Sequence, residues 1–215
     1  MDGSSEEKKV VDDGAGGKIV TEIKTEANGD FAKVTLTQPN EGKSTIVTVD
    51  KKTERTVVQT YQVTGEKEIA LQRQITDSKK ENLVVPQTIK VNDTTYKVTS
   101  IAKNAFKGND KLTSANTGSN VKTIGAGAFS KNTKLTSATL GKNVKSIGAK
   151  AFDGDAKLKT ITIQSAKLTK VGKKAFDGIA AKATIRIKGS KKQFNATVAM
   201  IQKSGIGKKV RFKRI

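Results

Sequence analysis

Apolar residues in the C-terminal half of the chain recur with a long period. Ala-Phe pairs stand at Ala105-Phe106, Ala128-Phe129, Ala151-Phe152 and Ala175-Phe176, at steps of 23, 23 and 24 residues. Five residues before each Phe comes Ile101, Ile124, Ile147 or Val171; three earlier still comes Val98, Val121, Val144 or Leu168. Leu112, Leu135 and Leu158 follow their Phe by six, where the fourth copy has Lys182. Glycine follows the Ile or Val in three copies, as Gly125, Gly148 and Gly172. Agreement at this many positions marks an internal repeat.

Within each repeat the segment after Phe reads as a strand. Residues 135–143, Leu-Thr-Ser-Ala-Thr-Leu-Gly-Lys-Asn, fit L-x-x-L-x-L-x-x-N, the leucine-rich-repeat pattern. Leu158, Ile161 and Ile163 take the same slots in the next copy, and Ile185 and Ile187 in the last. The first copy, with Leu112, Ala115, Thr117 and Asn120, fits more loosely. Alternation sends Leu and Ile to one face and Ser/Thr to the other. The terminal Asn120 and Asn143 are placed to turn inward and bond backbone groups of neighbouring turns. One such turn cannot close its own core, so successive turns must stack and bury Val, Ile, Ala, Phe and Leu against one another. The expectation is one column of Phe106, Phe129, Phe152 and Phe176, with parallel strands about 4.8 Å apart.

Elsewhere the periods are shorter. Residues 31–37, 44–49 and 56–63 alternate as strands. Asn28-Gly29, Asn40 to Gly42 and Gly65 read as breaks, as does Asn92-Asp93 on the way into the first repeat. Residues 19–82 are therefore expected to form a small β-rich module or an N-terminal cap. Residues 1–18, polar and rich in Asp and Glu, are expected to be a flexible leader. Near the C-terminus, Phe194, Val198 and Ile201 at i, i+4, i+7 predict one amphipathic helix over 191–203. Gly205 and Gly207 end it, and residues 210–215 alternate as a last strand. Residues 188–215 are thus expected to be a helix-plus-strand cap on an 83–215 solenoid of about four turns, a β-rich (α+β) architecture.

Composition narrows the chemistry. The 215 residues include no Cys, His or Trp. That removes disulfides, thiolate nucleophiles, Ser–His–Asp triads and His- or Cys-ligated metals, and points to a non-enzyme with no cofactor or metal. Asp153, Asp155 and Asp177 suit Asp-Gly turns, since the other ligands of a calcium loop are missing. Gly125-x-Gly127 lacks the strand–helix context of a nucleotide loop. No apolar run is long enough to span a membrane. Charge is uneven: residues 1–86 hold 13 Lys+Arg and 15 Asp+Glu, residues 87–215 hold 28 and 5. A segment of net +23 suggests a polyanionic partner, although lysine also serves as surface filler.

V-x-x-I-G-x-x-A-F-x-x-x-x-x-L-x-x-x-x-L, as in Val121 to Leu140 and Val144 to Ile163, resembles the BspA-type leucine-rich repeat. The opening Tyr96 to Ile101 and the close, Phe176 to Ile179 and Ala183 to Ile187 before a Lys-rich tail, share the likeness, which covers roughly 83–215. The resemblance implies a right-handed solenoid on secreted or surface-anchored bacterial proteins, linked to adhesion and binding of host proteins. Since residues 1–18 hold no hydrophobic signal core, a surface protein implies an export signal outside this sequence. A cytosolic protein is the alternative.

Two sets of residues are candidate binding sites. Lys111, Lys134 and Lys157 precede the strand Leu, and Lys122 and Lys145 follow the repeat Val, so stacking makes each set a short Lys ladder. Like charges about 5 Å apart in water repel by under ~1 kcal/mol, so solvation alone also accommodates them. The outward strand positions Ser114, Asn116, Ser137, Thr139, Thr160, Thr162, Thr184 and Arg186 form the second set. Small hydroxylated residues also suit any exposed strand, and hot-spot aromatics are missing. The sequence points to an interaction or adhesion module for host or bacterial surface proteins or anionic glycans. A nucleic-acid binder is disfavoured by the scarcity of Arg and of exposed aromatics. A purely structural stalk remains the other alternative.

Overall fold

The alternation Ser137-Ala138-Thr139-Leu140 sets the architecture: Ala138 and Leu140 are buried and Ser137 and Thr139 half-buried, one face in and one face out. The computed structural model describes residues 5–12, 18–25, 32–33, 39–40, 43–50, 57–76, 81–91 and 94–215. Its strands are β1 (Ser5–Asp12), β2 (Lys18–Thr25), β3 (Ala32–Lys33), β4 (Pro39–Asn40), β5 (Lys43–Asp50), β6 (Val57–Gly65), β7 (Glu68–Thr76), β8 (Glu81–Val84) and β9 (Thr88–Val91). They continue with β10 (Thr94–Ile101), β11 (Leu112–Asn116), β12 (Thr123–Ile124), β13 (Ser137–Leu140), β14 (Ser146–Ile147), β15 (Thr160–Ile163), β16 (Lys170–Val171) and β17 (Thr184–Ile187). Helix α1 (Lys191–Lys203) and β18 (Arg211–Arg214) complete the chain.

Each turn of the solenoid contributes a longer strand to one parallel ladder and a short strand to another. The first ladder is a six-stranded sheet, β18-β17-β15-β13-β11-β8. The second runs β16-β14-β12-β10-β7 in parallel and continues through the antiparallel strands β6, β5 and β4, with β9 antiparallel to β10. The solenoid thus extends beyond its four Ala-Phe turns, with β8 before them and β18 after. Neither end strand carries the Ala-Phe landmark. At the N-terminal end β7 pairs with β10, Ile69 beside Val98 and Leu71 beside Ile101, and Tyr61, Ile69 and Leu71 are fully buried. At the other end Ser190 caps α1 in a capping box with Gln193, and the helix buries Thr197 and Ile201.

The phenylalanines form the expected column. Ring centroids of Phe106, Phe129, Phe152 and Phe176 follow one another at 5.3, 5.1 and 5.4 Å, with planes within 10° of parallel. Offset stacking at this spacing adds to the burial of large rings. The repeat glycine has a packing cause: a Cβ on Gly148 would lie 2.4 Å from the Ala126 nitrogen of the previous turn. The turn around Phe needs left-handed backbone two residues before it (Asn104, Gly127, Lys150, Lys174) and two after (Gly108, Lys131, Gly154, Gly178). Half of these positions therefore hold non-glycine residues in a region that costs an L-residue roughly 1–2 kcal/mol.

Three sequence expectations meet a different structure, or none. Residues 5–12, expected to be leader, form β1, which pairs with β2 in a register that sets Glu6 opposite Lys24 and Val10 opposite Val20. Of the strand expected over 31–37, residues 32–33 form β3, and the others lie outside the described residues. The turns expected at Asn28-Gly29 and Asn92-Asp93, and Glu41 and Gly42, lie outside the described residues.

Candidate functional site

Parallel pairing turns the outward strand residues into two rows across the six-stranded sheet. One row is Asn82, Ser114, Ser137, Thr160, Thr184 and Arg211; the other is Val84, Asn116, Thr139, Thr162, Arg186 and Lys213. All eight candidate strand positions from Ser114 to Arg186 therefore share one face. At its first end the polar side chains are engaged: the Ser114 hydroxyl donates to Asn82 Oδ1 at 2.8 Å, and Asn116 Oδ1 accepts the Gly118 N–H at 3.0 Å. Among the described residues, Ser137, Thr139, Thr160 and Thr162 have no side-chain partner. Toward β18 the face becomes basic, with Arg186, Arg211 and Lys213 all exposed. Arg211 and Lys213 are residues that sequence reasoning missed. Setting residues 210–215 in register with 183–187 would have found them.

The two Lys ladders stand apart. Lys111, Lys134 and Lys157 each come three residues before a paired position of the face (Ser114, Ser137, Thr160), at the N-terminal end of its strands. Lys111 is half-buried, the other two exposed. Lys122 and Lys145 lie beyond the opposite end, entering the second ladder, with the Lys145 N–H bonded to the Lys122 carbonyl at 2.8 Å. Lys122 also makes a salt bridge with Glu68 of the N-terminal hairpin. That hydrogen bond, more than any other influence, holds the Glu68 carboxyl below its ordinary range.

A polar line, partly buried at its N-terminal end and buried at Asn132 and Asp155, runs along the axis and was not anticipated. Tyr61 Oη donates to Gln59 Oε1 at 2.6 Å, and Gln74 Nε2 and Asn109 Nδ2 donate to the two oxygens of Glu81 at 2.5 and 2.7 Å. The Asn109 N–H bonds Asn132 Oδ1, and the Asn132 N–H bonds Asp155 Oδ1, each at 2.7 Å. Asn109, Asn132 and Asp155 recur every 23 residues, three after Phe, and the fourth turn ends the line with Ile179. Asn132 also donates Nδ2 to the Phe129 carbonyl at 2.5 Å. Asp155 cannot repeat that bond as a carboxylate: its Oδ2 is buried without a partner, and burial pushes its pKa up to about 8. Asp155 is thus a turn residue, its carbonyl accepting the Leu158 N–H at 2.8 Å, whose side chain is also part of the core. The line is closed to solvent at Asn132 and Asp155 and serves the stack. Among the described residues no cluster of acidic side chains could hold a metal ion.

Two of the hollows on the surface lie wholly among the described residues. One, of about 260 Å³, is bordered by Arg73, Gln74, Glu81, Lys107, Asn109 and Lys111. The other, of about 600 Å³, lies at the C-terminal ends of the face strands, among Val84, Pro86, Asn116, Gly118, Lys142 and Gln164.

Comparison with known proteins agrees with the stacked-turn geometry. A family model described as the BspA type leucine-rich repeat region matches residues 82–199 in 6 copies. A leucine-rich repeat protein from Bacteroides capillosus is 24% identical, with a TM-score of 0.53 over 61% of this chain and 94% of that one. At that identity it bears on the fold alone. A leucine-rich repeat protein from Bacteroides ovatus, also 24% identical, aligns over 78% of this chain and 36% of that one at a TM-score of 0.48. No curated protein sequence matches the chain. With more than half its length matched by that family model, the chain belongs to the BspA-type leucine-rich repeat family.

Proposed function

We propose that the chain is a non-enzymatic interaction module of a secreted or cell-surface protein, binding host or bacterial surface macromolecules with the outward face of its six-stranded sheet. The observation that carries this reading is the pair of in-register rows. They offer small, unpartnered hydroxyls at Ser137, Thr139, Thr160 and Thr162 and cations at Arg186, Arg211 and Lys213. A solenoid face of this kind is extended and held rigid by the stack beneath it, so a partner does not have to order it. Family membership supports protein binding as the general role, and no helix among the described residues is long and apolar enough to cross a membrane. Without Trp or Tyr anchors, affinity per module is modest and gains from multivalency.

The test is binding of the protein to a panel of purified extracellular-matrix and bacterial surface proteins, with Thr139→Glu/Thr162→Glu as the face variant. The reading expects at least one ligand whose binding the double variant abolishes. A ligand that binds the variant and the parent equally contradicts use of this face.

A further inference from the structure

The 600 Å³ hollow has the chemistry of a site for one kind of ligand. We propose that it binds an extended acidic oligosaccharide, bearing uronate or sulfate groups, laid along the solenoid axis. The proposal rests on the reading of the chain as a binding module and adds the ligand and its place.

Gly118 lines the hollow, and a Cβ on Gly141, one turn along, would lie 1.7 Å from the Gly118 carbonyl oxygen, so the packing of turns keeps a side chain out of the wall at that point. On one side Val84, 63% exposed, and Pro86 form an apolar ledge suited to the C–H face of a sugar ring. On the other stand Lys142, exposed and without a partner among the described residues, and the Gln164 amide. Continuing along the same edge come Arg186 and Lys188, both exposed, two turns beyond Lys142. At about 4.8 Å per turn the axial offset is roughly 10 Å, with Lys188 one residue and Arg186 three residues out of register with Lys142 along the strand direction.

Charge selects the ligand class. The acidic residues of 94–215 are Asp110, Asp153, Asp155 and Asp177, all within four residues after a repeat Phe. None lies in the segments that form this edge, so an anionic chain meets cations, amides and hydroxyls and no carboxylate. No aromatic side chain lines the hollow, which removes the stacking platform that single-stranded nucleic acid uses.

The experiment is calorimetric titration of the protein at physiological salt with a heparin-derived octasaccharide, a carboxylate-only octagalacturonate, neutral dextran and single-stranded DNA of matched charge. Binding of either acidic glycan, loss of at least tenfold in Lys142→Glu/Arg186→Glu, a smaller loss in Lys142→Gln, and a change within twofold in Lys103→Glu, on the opposite edge, support the proposal. Which glycan binds better separates sulfate from uronate. No binding to either glycan, tighter binding to DNA, or an equal loss in Lys103→Glu overturns it. A protein ligand retained by Lys142→Glu/Arg186→Glu, in the absence of glycan binding, removes this site and leaves the interaction-module reading standing.

Discussion

The backbone N–H of Asn132 is bonded to Oδ1 of Asp155, 23 residues further on and one turn along the stack, at 2.7 Å. The bond uses one oxygen and leaves the other buried without a partner. The equivalent atom in the preceding turn is Asn132 Nδ2, a donor to the Phe129 carbonyl. A protonated Asp155 can act as a donor in the same way; an ionised one cannot.

Stability should therefore depend on pH through this residue. Its folded pKa, about 8, lies above the 3.8 of the free side chain, so the folded state holds a proton that the unfolded state loses. The contribution is fully present below about pH 4 and is lost as pH rises toward 8, with a slope approaching ~1.4 kcal/mol per pH unit. Asp155→Asn supplies the donor permanently. Denaturant unfolding of both proteins from pH 4.5 to 8.5 should show the variant gaining steadily on the parent. A difference independent of pH would mean that Asp155 is ionised in the fold.

Phe129 has a ring on either side, whereas Phe106 has one. Phe129→Ala should cost ~3–5 kcal/mol and Phe106→Ala less, because the end of the column loses fewer contacts. Equal, small losses in chemical denaturation would contradict a shared core.

One turn should respond with opposite signs to two substitutions. Gly148→Ala drives a methyl to 2.4 Å from the Ala126 backbone and must pry adjacent turns apart, costing about 1–3 kcal/mol. Lys150→Gly relieves a left-handed residue with φ of 55° and should stabilise by up to about 1 kcal/mol. Melting temperatures that move the same way in both would refute this reading of the turn.

These contrasts also explain what the sequence made legible. The Ala-Phe landmarks repeat with little change of residue type, so the stack, the column and the sheet face could be set in register before any coordinates, as could α1. Asn109, Asn132 and Asp155 keep the same 23-residue step, yet polar residues in a turn read as solvated ones. Only burial reveals them as a line through the interior. β8 and β18 lie at the ends, where neighbouring turns are replaced by caps and the Ala-Phe signature lapses. The hollow at Val84 and Lys142 joins residues 58 apart through two parallel pairings, a proximity no local pattern carries.

The central claim is that residues 23 apart lie side by side on consecutive strands. The chain has no cysteine, so pairs of nitroxide labels can be introduced cleanly. Labels at Ser137 and Thr160, Cα partners on β13 and β15, should show strong dipolar broadening in electron paramagnetic resonance. Labels at Ser114 and Arg211, four pairings apart, should give a narrow distribution near ~19 Å between backbone positions. An unbroadened spectrum for the first pair, or a wide distribution centred well beyond that distance for the second, would contradict the stacked solenoid.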